Sequence, residues 1–189
     1  HFSERFPGVN LMLNDDTARG VQQKVERNEV DFGIGSIWQQ SKSLKFTPLF
    51  ADNLELVFHR DHNLATSNKP VNWRMLKNET FLDSGITKNM RSRQLLSASK
   101  FDFPNITTLL AMLRSNLGVS VLPSLAIPKS DPDLRSRLLQ PPKKRDICLI
   151  TRHNWTLSPA AEAMIETIVE ETPTHLQRLG LTPRAPDKQ

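Results

Sequence analysis

Hydroxyl side chains and a glycine placed just after apolar runs are the residues of this sequence best suited to chemistry, and that chemistry is ligand recognition. Open α/β sheets bind ligands beyond the carboxyl ends of their strands. Ser36 follows the run Val30-Asp31-Phe32-Gly33-Ile34-Gly35, and Ser84-Gly85-Ile86 follows Phe81-Leu82-Asp83. Glycine at 85 permits close approach of the backbone, and amides leading toward a helix at Lys88 could hold an anion. Thr107 and Thr108 open a helix after Ile106, where one of them caps it in any case. Each has a plainer structural reading: a surface turn for Ser36, a helix cap for the Ser84 loop. Gly85→Val separates the two at that loop. It weakens ligand binding in a folded protein if the amides face a ligand, and unfolds the protein if Gly85 serves a positive backbone angle.

Patterns for catalysis are not met. His59 and His62 have the spacing of a weak metal pair, but residues three apart on a strand point to opposite faces. Asp15-Asp16 ahead of Thr17 reads as N-capping and helix-dipole chemistry rather than as a metal or general-base site. The sequence carries no Gly-rich phosphate loop, nucleophile elbow or Cys-His pair. The expectation is therefore a binding module with no catalytic residue, no metal and no cofactor.

Composition bounds the setting. The 189 residues are 38% hydrophobic and 24% charged, ordinary for a globular domain or two small lobes. No run approaches the roughly 20 apolar residues of a membrane span, and the N-terminus lacks a signal-peptide layout, so a soluble chain with no membrane partner is expected. The single cysteine, Cys148, lies in the apolar run Ile147-Cys148-Leu149-Ile150 and reads as a buried, inert thiol, which fits a reducing cytoplasm. Net charge is +5, which suits an anionic partner such as DNA. The basic residues are scattered, however, and the one tight cluster, Lys143-Lys144-Arg145, reads as a solvated loop before a strand.

The elements that must position these residues follow from periodicity. Phe2 and Phe6 end a helix that Pro7-Gly8 stops. Val9, Leu11 and Leu13 alternate as a strand, a helix over 17–28 carries Ala18, Val21 and Val25 on one face, and residues 30–35 return to strand period. Strand, helix, strand implies a right-handed unit and a parallel sheet. Two extended runs, 44–50 and 54–58, are separated by Ala51-Asp52-Asn53. Short helical pieces are expected at 61–65 and 73–76, a strand at 80–82 and a helix over 88–99. Then come a short strand before Asn105, a helix through 109–113, and strands at 119–122 and 145–152. Ser158 with Pro159 starts the last helix, which Pro173 ends or kinks. Residues 180–189 lack periodicity and read as a disordered tail.

Several segments in order resemble the effector-binding domain of LysR-type transcriptional regulators. They are Pro7-Gly8-Val9, Val30-Asp31-Phe32-Gly33-Ile34, His62-Asn63-Leu64-Ala65, and above all Asn116-Leu117-Gly118-Val119-Ser120-Val121-Leu122-Pro123. Arg152 followed by Leu157-Ser158-Pro159-Ala160-Ala161 is similar to the family's last strand and helix start. The resemblance covers about residues 6–170 and implies an α/β, type 2 periplasmic-binding-protein-like fold of two lobes flanking a cleft. Lobe one would be residues 1–51 plus 147–179, and lobe two residues 52–146. The family's cleft position matches Ser36, and Phe50 lies at the first crossing between lobes, where it lines the cleft or belongs to the core.

The function so implied is sensing of a small polar or anionic metabolite, with the signal passed to DNA through an N-terminal winged helix-turn-helix outside this chain. Family sensing domains pair side by side, so a cytoplasmic homodimer, and a higher oligomer for the full-length protein, is expected. The helices ending near Phe6 and spanning 88–99 would supply its contacts. The alternative is a transport-type solute-binding protein or a related two-lobed enzyme.

Overall fold

The computed structural model describes residues 1–67, 69–87, 101–179 and 181. The helix expected over 88–99 lies outside the described residues, as does the tail from 180 apart from Leu181. In chain order the elements are α1 (Phe2–Arg5), α2 (Ala18–Glu26), β1 (Gly33–Gly35), β2 (Leu44–His59), β3 (Val71–Asn72), β4 (Leu82–Asp83), β5 (Phe101–Asp102), α3 (Ile106–Arg114), β6 (Ser120–Pro123), β7 (Leu134–Gln140), β8 (Lys144–Arg152) and α4 (Pro159–Arg178). Short 3-10 turns stand at Asn63–Thr66, Trp73–Asn78 and Ser124–Ala126. The chain divides into unit 1, residues 1–51 with 146–189, and unit 2, residues 52–145.

In unit 1 the alternation at residues 9–13 does not become a strand. No described strand pairs with it, and Leu11, Met12 and Leu13 are 44%, 87% and 93% exposed. Alternation alone gives no strand, because strand geometry is held by a ladder partner. The parallel unit expected there is absent, and β1 instead runs antiparallel to β8, with Gly33 opposite Ile150. Helix α2 is capped by Thr17, whose hydroxyl accepts the Gly20 N–H at 3.1 Å, rather than by the acids before it. Asp16 instead pairs with Lys24 at 3.0 Å and accepts the Thr17 N–H. The Lys24 hydrogen bond, then that N–H, hold its carboxyl below the usual range.

The core of unit 1 joins Val25, Leu44, Cys148 and Ile150. Arg152 ties β8 to the end of α2 by donating to the carbonyls of Val25 and Val30 at 2.9 and 3.1 Å while stacking over Trp155. Ser158 caps α4 by accepting the Ala161 N–H. That helix runs through Pro173 to Arg178 rather than ending there, and buried Leu176 anchors the turn beyond the proline. Among the described residues no helix is long and apolar enough to cross a membrane.

Unit 2 is built on the second half of β2. The two runs expected around Ala51-Asp52-Asn53 are one strand of 16 residues, whose pairing with β6 and β7 begins just beyond polar Asp52 and Asn53, at Leu54 and Glu55. β6 pairs antiparallel on one side, Leu54 opposite Pro123. On the other lies β7, also antiparallel, with Phe58 opposite Arg135. β7 carries β3 in parallel, and β4 pairs in parallel with β5. Leu56 and Phe58 pack with Leu64, Val71, Trp73 and Leu76 in one core, whereas Val57 joins Leu82, Leu109, Leu113 and Leu122 in the other. Gly118 is obligatory for the approach to β6, since a Cβ there would collide with the Thr80 carbonyl.

Lys143-Lys144-Arg145 is not a solvated loop. Lys144 and Arg145 begin β8, and the Arg145 guanidinium turns toward Asp52 at 3.4 Å. Asp52 has no solvent exposure and also accepts a 2.5 Å hydrogen bond from Ser124. Burial pulls the Arg145 guanidinium below its usual pKa, and Asp52 opposes that shift. At Asp131, burial pushes the carboxyl upward, but hydrogen bonds from Arg114 and the Asp133 N–H outweigh it and leave it below the usual range.

Leu56→Ala should cost about 3 kcal/mol in urea unfolding through its cavity, whereas Leu138→Ala, at a position 53% exposed, should move stability by less than about 0.5 kcal/mol. The Asp131 pair gives a second check. Its depressed folded pKa contributes stability above the unfolded value of 3.8, lost as pH falls through the folded value. Arg114→Gln should therefore destabilise near neutral pH and much less near about pH 2.

Candidate functional site

β4 and β5 lie side by side in parallel, Leu82 opposite Phe101 and Asp83 opposite Asp102, so their carboxyl ends open at the same edge of unit 2. The Phe103 N–H donates to the Asp83 carbonyl at 2.7 Å, and Ser120 donates to the Leu82 carbonyl at 2.7 Å from β6. These bonds fix the point from which Ser84-Gly85-Ile86 departs. Beyond β5 the chain enters α3, capped by Asn105, whose Oδ1 accepts the N–H groups of Thr107 at 2.8 Å and Thr108 at 3.3 Å. Contrary to the expectation that one threonine caps the helix, neither does, because Asn105 precedes both and takes the role. Thr107 is left exposed in the first turn, at the same strand edge as the Ser84 loop.

Within the loop, Asp83 is the organising residue. Its carboxylate is fully buried and accepts the Gly85 N–H and the Thr87 hydroxyl, both at 2.9 Å. The Gly85 amide is thus committed to the protein rather than offered to an anion. Gly85 has φ 81°, a conformation that side chains rarely adopt, so Gly85→Val strains the fold instead of sparing it. The group left over is Ser84 Oγ, buried and without a hydrogen-bond partner among the described residues. Ile86 stands beside it, 37% exposed. Thr87 and Asn105 are residues that sequence reasoning missed or misassigned here. An Asx-type cap before a helix start was the available signal for Asn105.

In unit 1, Ser36 follows β1 directly and is half-buried. The loop after it is clamped by Gln22 of α2, which donates to the Gln39 carbonyl at 2.8 Å and accepts the N–H groups of Trp38 and Gln39. Gln22 is 2% exposed, and a polar residue on a helix stripe gave no hint of this. Phe50 is half-buried within β2. His59 and His62 serve local structure, accepting the N–H groups of Asp61 and Leu64. Among the described residues, no group of three or more His, Cys, Asp or Glu stands close enough to hold a metal ion.

The description that matches this chain, over residues 1–173, is the LysR substrate binding domain. The chain belongs to that family. This LysR-family chain is 28% identical over 180 residues to the HTH-type transcriptional regulator YbhD of Escherichia coli, a match covering 89% of the chain and 56% of that protein. It is 23% identical to a hydrogen peroxide-inducible genes activator of Dickeya chrysanthemi, covering 93% of the chain and 61% of that protein. The chain thus spans little more than half the length of these relatives. Among solved structures, the CcmR regulatory domain of Synechocystis in complex with 2-PG superposes with TM-score 0.81 at 19% identity, covering 90% of this chain and 87% of that one. The effector binding domain of QuiR in complex with shikimate gives TM-score 0.74 at 16% identity, covering 92% and 88%. The LysR chain therefore has the type 2 periplasmic-binding-protein-like α/β fold of these effector-binding domains.

Ser84→Ala should leave unliganded stability unchanged or raise it by up to about 1 kcal/mol, since it removes a buried hydroxyl with no partner. Gly85→Ala should lower stability by about 1 kcal/mol or more through its backbone angle. Urea unfolding of both variants without ligand checks the pair.

Proposed function

We propose that this chain is the effector-sensing domain of a bacterial LysR-type transcription regulator working in the cytoplasm, and that it performs no catalysis. Residues 1–51 with 147–179 and residues 52–146 form its two lobes. A small polar or anionic metabolite is recognised in lobe two by Ser84 and Ile86 with Thr107. The observation that carries the reading is Ser84 Oγ, a buried hydroxyl with no partner among the described residues, at the strand edge it shares with Thr107. A buried polar group without a partner is costly unless a ligand or water completes it. A phosphate- or carboxylate-bearing compound, as the 2-PG and shikimate of the structural relatives suggest, offers the acceptor that the hydroxyl lacks.

Binding shifts the population toward one conformation of the domain. A homodimer, assembled further in the full-length protein, passes this to DNA through a winged helix-turn-helix on the N-terminal side.

The test is a thermal-shift screen of small carboxylates, phosphate monoesters, amino acids and aromatic acids. A true effector at about 100 times its Kd should raise the melting temperature by on the order of 5 °C. Ser84→Ala should shrink that rise while leaving the unliganded value in place. A hit whose shift survives Ser84→Ala would remove this loop from the site. A signal peptide in the reading frame upstream of His1, in place of a winged helix-turn-helix, would overturn the regulator.

A further inference from the structure

We propose a second ligand site in unit 2, a cavity of about 410 Å³ that takes a small oxyanion through Arg135, Arg137 and Arg60. The period of a β-strand sets Arg135 and Arg137 on one face of β7. Their cross-strand partners on β2 are Phe58 and Leu56, both without solvent exposure. Phe58 and Ala65 give the cavity its apolar floor beneath two cations, and Arg60, beyond the end of β2, adds a third to the lining.

The guanidiniums are held rather than loose. Arg137 donates through Nη1 to the Leu64 carbonyl at 3.0 Å, and Arg135 donates through Nη1 to the carbonyls of Leu134 and Pro132 at 2.8 and 3.2 Å. Each keeps further N–H donors beyond that anchored nitrogen. Among the described residues, neither pairs with a carboxylate, whereas Arg60 approaches Asp61 at 3.8 Å and Asp133 at 3.6 Å. The lining therefore sets three cations against the one carboxylate of Asp61, with Asp133 behind Arg60. Ser67 adds a hydroxyl. Fixed, forked donors over an apolar floor match the planar or tetrahedral oxygens of a carboxylate or phosphate group. The site is distinct from the Ser84 loop, whose strand joins unit 2 through β6, on the opposite edge of β2 from β7.

Titration calorimetry of the 189-residue chain at low salt, with inorganic pyrophosphate and with citrate as probes, tests the site. Saturable binding of at least one probe is expected, and the tighter of the two tells whether phosphate or carboxylate geometry is preferred. Arg135→Gln, at an exposed position, should weaken binding about tenfold or more, the scale of a lost charge-assisted hydrogen bond. Arg137→Gln should do the same, and Arg137→Lys should restore only part of the affinity because it keeps the charge without the fork. Lys45→Gln, which removes an exposed charge from unit 1, should change nothing. Absence of saturable heat with both probes overturns the site, as does binding that Arg135→Gln leaves intact or that Lys45→Gln weakens equally.

Discussion

Residues 55–57 of β2 lie between two hydrogen-bonded neighbours, β6 on one edge and β7 on the other, and most of unit 2 follows from that ladder. Pairing on both edges fixes the register, and register decides which side chains enter which core: Leu56 and Phe58 to one, Val57 to the other. A slip of one residue would exchange the two sets. β6 in turn holds β4 through Ser120, which sets the start of the Ser84 loop, and β7 presents the arginine face. The two candidate ligand sites thus hang from opposite edges of one strand.

Asp52 adds a second constraint. A fully buried carboxylate is strongly disfavoured unless charge and hydrogen bonds compensate it, and Ser124 and Arg145 do so. Their positions in the sequence give the interaction its meaning, since Asp52 and Arg145 are the first and last residues of unit 2. The ion pair fastens the two ends of the inserted segment to each other. Such pairs add little net stability compared with apolar residues of the same volume, but breaking one by removing a single partner is costly.

Much of the fold was legible because local signals agreed with tertiary ones. The apolar faces of α2 and α3, the Ser158-Pro159 start of α4 and the buried strand after Gly118 all formed close to where periodicity placed them. What failed was decided by pairing, which one sequence does not display. Residues 9–13 alternate but find no described partner, and β7 forms although Leu134-Arg135-Ser136-Arg137 has little strand character. The candidate site was legible in outline: Ser84 and Thr107 stand at one strand edge as their positions after apolar runs suggested. Its chemistry was not. The capture of the Gly85 amide by Asp83 depends on side-chain geometry across four residues, and the clamp of Gln22 on the loop after Ser36 spans 17 residues of sequence.

The division of the chain also sets an order of events during synthesis. Unit 2 is one uninterrupted segment, residues 52–145, whereas unit 1 needs residues 1–51 together with those from 146 onward. Emerging from a ribosome, unit 2 has all its residues available while unit 1 still lacks β8, the strand that pairs with β1 and supplies Cys148 and Ile150 to its core. Residues 1–51 must then wait, with Val25 and Leu44 short of their partners, for a stretch of translation lasting several seconds at about 5–20 residues per second. During that interval the apolar faces of α2 and of the early part of β2 are the exposed surfaces of the nascent chain. The discontinuous unit, though it comes first in the sequence, is the last to close.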